Sequence, residues 1–315
     1  MSDFVIIPDS TSDFTADLRE RFGVPEVIKG LIYFPDGHTE AADLDWKKHT
    51  PEEYYKSMTD KTSLYTTATA HAGDIKDTFE KYLKEGKDII TVSLSAALSG
   101  TNALNEMVKK ELLEKYPDRK IFCVDTNGYS AAIALLIIGA CELKAQGATV
   151  EEVAKYFEDN KFKVHQMGTM DDLFFLVKKG RISNFKAFFG SLIGINTVAD
   201  FNRGGLPQVL HKFKGKKDAF AAVVEYIKET IIDAENQIII VAHTNRFAVA
   251  QKLAEIVKAE LNPKEVIIKD VGMSCGANIG PGLCAAYYFG KELTEDMVYE
   301  EKLMQDIAEN LKKKG

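Results

Sequence analysis

Three short apolar runs dominate the first half of the chain: FVIIPD at residues 4–9, DIITVS at 88–93 and KIFCVD at 120–125. Each precedes a helical pattern, over residues 15–22, 100–116 and 127–146. A further helix over 74–84 leads into the second run and ends at Gly86. Buried strands separated by helices must be parallel, because a parallel return needs a long crossover. Right-handed crossovers then put every strand-to-helix turn on one edge of the sheet, the edge where α/β proteins hold ligands. The first half is therefore expected to be a parallel-sheet α/β domain.

Local punctuation agrees. Thr15 and Asp17 fit a helix start. Pro117 stops the helix that begins near Gly100, and Gly147 follows the next one. TVEE at 149–152 is a Thr-x-x-Glu capping box opening a helix to about residue 160. The domain boundary is expected just beyond it, giving domains 1–162 and 163–315.

The second half has a different texture. KVHQMGTM reads as a strand, and DDLFFLVKKG and SNFKAFFGSLIG as helices. INTVADFNRGGLPQVLHKF reads as two strands joined at 202–205. A helix at 216–231, strand 237–243, helix 247–261, strand 265–271 and the apolar run 283–289 follow. CGANIGPG at 275–282 reads as a glycine-rich loop between strands, either a plain turn or one that lays backbone amides and Asn278 against a ligand. The pattern predicts an α+β domain with a mixed sheet, closed by an amphipathic helix over 294–314.

Composition narrows the function classes. The 315 residues are 45% hydrophobic and 28% charged, as in globular chains. A net charge of -7 argues against nucleic acid and anionic membrane surfaces as partners. No apolar run reaches the length of a membrane span, the longest being AAIALLIIGAC at 131–141. The start MSDFVII lacks the pattern of a secretory signal. Cys123, Cys141, Cys275 and Cys284 form no CxxC pair and have no His at metal-ligand spacing, so buried thiols in a reducing cytoplasm are expected.

The turn ALSGT at 97–101 carries the clearest chemistry. Ser99, Gly100 and Thr101 fall at a helix N-terminus, where free backbone amides and the helix dipole favour an anion. Gly100 admits a ligand to the backbone, and Ser99 adds a hydroxyl. Helix capping alone accounts for the same residues equally well. The P-loop lysine is absent. PDSTSDFT at 8–15 and TTATAHAGD at 66–74 are also hydroxyl-rich, which fits a shared polar pocket or ordinary turns. Arg181 in KKGRIS is placed to face solvent or to balance an anion. Phe174, Phe175, Leu176, Phe185, Phe188, Phe189, Leu192, Ile193 and Ile195 form a core or line a tunnel for an apolar ligand. Catalytic signatures are missing: no GxSxG, no GxGxxG and no HExxH occur, and the six histidines pair with no Ser or Cys in a known pattern. No catalytic residue, metal site or cofactor is expected.

IPDSTSDF, SLSAALSGT, DDLFFLVKKGRIS, FFGSLIGIN and IGPG occur in order over residues 3–290. In this the chain resembles the DegV family, bacterial proteins that bind a fatty acid. Their best understood members are the fatty-acid-binding subunit of fatty-acid kinase. The resemblance implies two α/β domains with the ligand between them. It implies that Thr67 (or Thr66), Ser99 and Gly100 hold the acyl carboxylate. Arg181 would supply charge nearby, and the acyl chain would run along the Phe-rich helices.

Several positions depart from the family pattern. TTATA stands where TSQPS is usual, Lys179 replaces one of two glycines before Arg181, and Asn278 replaces the His of THTGPG. An Asn donates a hydrogen bond but carries no proton or charge, which bears on the kinase coupling more than on ligand binding. The helix 294–314 is an addition to the family's length. The leading expectation is a non-catalytic, cytoplasmic carrier that presents a long-chain fatty acid to a fatty-acid kinase catalytic protein in phospholipid metabolism. The competing ones are a subunit or enzyme handling a small hydroxylated or phosphorylated metabolite, with His71 the only histidine on a site turn, and a sensor with a vestigial pocket.

Overall fold

The computed structural model describes residues 3–183 and 196–314. The chain divides into two compact units. One takes the chain through Lys48, then Tyr65–Lys161 and Gly272–Cys275. The other takes His49–Leu64, Phe162–Val271 and the residues from Gly276 onward.

In the first unit, β1 (Phe4–Pro8), β5 (Asp88–Ser93) and β6 (Ile121–Asp125) form a parallel sheet in the order β1-β5-β6. All of β1 and β5 is buried, the condition in which strands read as unbroken apolar runs. The crossovers include α1 (Ala16–Phe22), α3 (Ala72–Lys84) and α4 (Thr101–Lys115), with α5 (Ala131–Ala145) and α6 (Val150–Asn160) after β6. Ile75, Phe79 and Leu83 lie one helical turn apart on α3, and Val108 and Leu112 on α4; both sets pack on Val5, Ile7 and Ile89. Helix α5 buries ten residues from Ala131 to Cys141, so it is a core helix, as the apolar run 131–141 requires. The capping box of α6 forms: Thr149 accepts the Glu152 amide, and the Glu152 carboxylate accepts the Thr149 amide.

The stretch between α1 and α3 has structure that its sequence did not disclose. β2 (Leu31–Tyr33), β3 (Thr39–Ala41) and β4 (Thr66–Ala68) make a small antiparallel sheet in the order β3-β2-β4. Strands of three residues are too short to show a period. Between them α2 (Pro51–Ser57) begins with a capping box from Thr50 and Glu53, and belongs to the second unit.

The second unit holds a six-stranded mixed sheet, β11-β10-β12-β7-β8-β9. Its strands are β7 (Val164–Met170), β8 (Asn196–Phe201), β9 (Pro207–Phe213), β10 (Ile238–His243), β11 (Glu265–Asp270) and β12 (Leu283–Phe289). β10 and β11 are parallel, and the other neighbours antiparallel. β8 and β9 are the hairpin read at 202–205. α7 (Phe174–Lys179) follows β7; α8 (Lys216–Thr230), α9 (Phe247–Leu261) and α11 (Val298–Lys314) share a core with the sheet through Tyr226, Leu253, Val241 and Met304. The expected fold class, a parallel α/β part followed by a part with a mixed sheet, is the observed one.

One reading is corrected. Residues 275–282 are not a loop: Met273–Ile279 form a helix, α10, and only Gly280 and Gly282, both at positive φ, turn the chain into β12. Gly276 and Gly280 are small because Tyr55 and Phe175 press on them, and a Cβ there would lie 2.4 Å from the Tyr55 hydroxyl oxygen and 2.1 Å from the Phe175 ring. Spacing for packing imitates spacing for flexibility.

Candidate functional site

Because β1, β5 and β6 are parallel and in register, their C-terminal ends lie side by side. Three turns therefore share one edge: Asp9 to Thr15, Leu94 to Gly100, and Thr126 to Ser130. Their polar groups are used differently.

The turn after β5 is the open one. Ala96 is tied back by its amide to the Asp125 carboxylate, at 3.2 Å to each oxygen, and Ser95 by its amide to the Gly128 carbonyl at 2.9 Å. The Ser99 hydroxyl oxygen lies 2.9 Å from that of Thr101 and accepts the Thr101 amide at 3.2 Å. Ser99 is thus a local cap for α4, with Gly100 at the N-cap position and no acidic residue in the first turn. Gly100 is exposed, and a Cβ on it would meet nothing within 4 Å. A fifteen-residue helix points its positive end into this space.

The turn after β1 is closed. Ser10, Ser12 and Asp13 are buried. The Ser10 hydroxyl oxygen accepts the Gly30 amide at 3.0 Å and lies 3.0 Å from the Ser274 hydroxyl oxygen. Ser12 donates to the Asp9 carbonyl at 2.7 Å. Asp13 accepts the Gly272 amide at 3.0 Å and the Ser130 hydroxyl. The Cys275 thiol donates to the Thr11 carbonyl at 3.4 Å. The Ser10 hydroxyl, the Asp13 carboxylate and the Thr11 carbonyl bind Gly272–Cys275 within the first unit, and the Ser12 hydroxyl is taken by its own turn, so these groups are already engaged. Sequence reading grouped this turn with the open one because composition does not show which partners a hydroxyl has.

Asp9 is the exception within the network. Thr11 donates its amide, at 2.7 Å, and its hydroxyl to Oδ1, while Oδ2 is buried with no hydrogen-bond partner. Burial, opposed only in part by the Thr11 bonds and the Leu94 amide, pushes its carboxyl up to about 6.

The other expected site residues are placed as follows. Thr67 is exposed at the centre of β4, opposite Ile32, on a strand and not in a turn. Arg181 is exposed; it follows Gly180, whose left-handed φ of 65° ends α7, and its guanidinium donates to the Lys179 carbonyl. Burial, then Arg181 and Lys178, lower the Lys179 ammonium. Asn278 is half-buried on α10. Thr67, Ser99 and Gly100 belong to the first unit, Arg181 and Asn278 to the second. Of the Phe-rich set, Phe175 and Leu176 are core, and Phe174 carries the ammonium groups of Lys61 and Lys178 over its ring at 5.0 and 5.4 Å. Phe185, Phe188, Phe189, Leu192, Ile193 and Ile195 lie outside the described residues.

All four cysteines are free thiols. Burial pushes Cys123, Cys141 and Cys284 up to about 12, which leaves no thiolate near neutral pH. Among the described residues no group of three or more His, Cys, Asp or Glu could hold a metal ion, and no helix is long and apolar enough to cross a membrane.

The chain matches the family model for DegV, described as an uncharacterised protein family, over residues 3–291. A DegV domain-containing protein of Clostridium perfringens is 30% identical over 290 residues, covering 92% of this chain and 98% of that protein. Among solved structures, a DegV lipid-binding protein of Thermotoga maritima is 26% identical with a TM-score of 0.77, over 92% of this chain and 99% of that one. A second Thermotoga maritima protein, described as having a fatty-acid-binding function, is 25% identical with a TM-score of 0.77, over 91% and 99%. A DegV family protein of Thermus thermophilus, 23% identical over 91% and 99%, shares the fold with a TM-score of 0.81.

Proposed function

The chain belongs to the DegV family, and from that premise we propose that it binds a long-chain fatty acid and has no catalysis of its own. The carboxylate is held by Ser99 and the amides around Gly100, with Thr67 as a further hydroxyl donor. Arg181 and Asn278 are the contributions of the second half, and the acyl chain occupies an apolar tunnel lined by its Phe-rich segment. The observation that carries the reading is the open N-terminus of α4, with its paired Ser99 and Thr101 hydroxyls and free space before Gly100. The lipid-binding and fatty-acid-binding descriptions of the two Thermotoga maritima proteins support it.

The chemistry is sufficient for such a ligand. Burying one methylene gains about 0.8 kcal/mol, so a chain of roughly fifteen gains on the order of 10 kcal/mol before association costs. The head then needs only a few hydrogen bonds. Neutral donors hold a carboxylate without locking it away, which suits a carrier that hands the acid to a separate fatty-acid kinase. Asn278 donates at the place of the family's His but moves no proton, so the phosphoryl transfer rests on the partner.

Mass spectrometry of the denatured, purified protein tests the proposal. A long-chain fatty acid is the expected result, with Ser99→Ala carrying less of it while staying folded and losing only about 1 kcal/mol with the missing cap. A polar phosphorylated or hydroxylated metabolite in its place, or undiminished acid in Ser99→Ala, overturns the ligand or the head-group assignment respectively.

A further inference from the structure

His165 on β7 is a tightly held ionisable group outside the candidate site. Its side chain is 1% exposed, its Nδ1 lies 2.6 Å from Asp200 Oδ2 and its Nε2 lies 2.9 Å from the Lys291 carbonyl oxygen. A carbonyl oxygen only accepts. The Asp200 carboxylate is likewise placed to accept, since its Oδ1 takes the amides of Gln166 at 2.7 Å and Phe201 at 2.8 Å. Both ring nitrogens therefore need a proton, and only the imidazolium has two. Neutral imidazole leaves either Asp200 Oδ2 or the Lys291 carbonyl without a donor in a dry interior.

The second of these acceptors opens the C-terminal segment. Gly290 packs on the His165 ring so closely that a Cβ there would lie 2.6 Å from its Cδ2. Lys291 and Leu293 then bond by their amides to the Thr230 and Phe162 carbonyls. The Thr294 amide and hydroxyl donate to Glu300, a residue of α11 that is 1% exposed. Past it, Met304, Ile307 and Ala308 are buried in the core of the second unit, and Gln208 of β9 donates to Glu301 at 2.7 Å. All of α11 lies beyond residue 291, where the family match ends.

We propose that doubly protonated His165 is a latch for this added segment, and that loss of its proton loosens residues 290–294 and with them α11. The groups that face it are Asp200 of β8, Glu300 of α11, the Lys291 carbonyl and two phenols. Tyr288 of β12 stacks on the ring at 5.2 Å, and Tyr226 of α8 meets its edge at 5.9 Å. Burial drives both phenols upward, so they stay neutral while the imidazolium titrates. Burial disfavours the imidazolium, but Asp200, the Lys291 carbonyl and Glu300 together outweigh it and raise His165 above its ordinary value. The sign follows: the latch is fully closed below about pH 6.5 and opens as pH rises through the raised value.

Amide hydrogen exchange of the full-length protein, expressed as protection factors, reads this directly. Protection of α11 relative to α9 of the same unit is expected to be flat below about pH 6.5 and then to fall by up to about tenfold per pH unit until the imidazolium has titrated. His165→Gln, which donates one bond at every pH, should remove the dependence. Equal pH behaviour of α11 and α9, or an unchanged dependence in His165→Gln, overturns the latch. Should that variant fail to fold, the imidazole nitrogen shifts of the wild type decide: two protonated nitrogens at pH 7 are expected, and a single one rules the proposal out.

Discussion

The hydroxyls of Ser10 and Ser274 lie 3.0 Å apart although 264 positions separate them in the chain. The pair joins the turn after the first strand to a segment just before the last. With Asp13 on the Gly272 amide and Cys275 on the Thr11 carbonyl, it is one of the polar links that hold four late residues in the first unit.

Ser274→Ala removes one partner while Ser10 still accepts the Gly30 amide, so a loss of about 1 kcal/mol is expected. Ser10→Ala deprives both neighbours and should cost more. In a double-mutant cycle by urea unfolding, the two should couple by roughly 0.5–1.5 kcal/mol. Additive losses would mean that the hydroxyls do not bond to each other.

Asp9 sets a pH dependence of its own. Its carboxyl is raised to about 6 from an ordinary 3.8, chiefly by burial, so the folded state holds this proton more tightly than the unfolded chain. The group stabilises the fold as pH falls from above 6 toward 3.8, and its charge costs on the order of 3 kcal/mol well above pH 6. Urea midpoints of wild type and Asp9→Asn at pH 5 and pH 8 test this. The variant should lose less stability between the two than the wild type does. Parallel pH profiles would show that Asp9 finds a partner for Oδ2 in solution.

Gly168 tests the packing of the mixed sheet. It sits opposite Ala285, and a Cβ there would lie 2.4 Å from the Ala285 Cβ and 2.6 Å from the Cys284 carbonyl oxygen. Both obstacles belong to a paired strand and cannot rotate away, so Gly168→Ala should cost about 2 kcal/mol. Gly100→Ala, where the added Cβ meets nothing, is the control, expected within about 0.5 kcal/mol of wild type by thermal unfolding. Equal effects at the two positions would refute the close approach of β7 and β12.

The open turn was legible in part. Ser99 and Gly100 stand at a helix start because the strand before them and the helix after them each carry a clear period. The turn at Asp9 looked the same and is not, because its Ser10 hydroxyl and Asp13 carboxylate are taken by Ser274, Gly272 and Ser130, which no local pattern announces. Thr67 was read in a turn and lies on a three-residue strand, a length at which alternation has no signal.

The order of the longer strands and helices was written in the chain itself: apolar runs such as 88–93 must be buried on both faces, and the helices between them bury stripes three and four residues apart. That periodicity is a local consequence of backbone geometry, so one sequence suffices to find it. The partners of polar atoms far apart in the chain were decided by tertiary structure alone. Ser10 and Ser274, Asp13 and Gly272, and His165 with Asp200 and the Lys291 carbonyl are brought together by packing, and a hydroxyl, carboxylate or imidazole looks the same in a sequence whichever partner it finds.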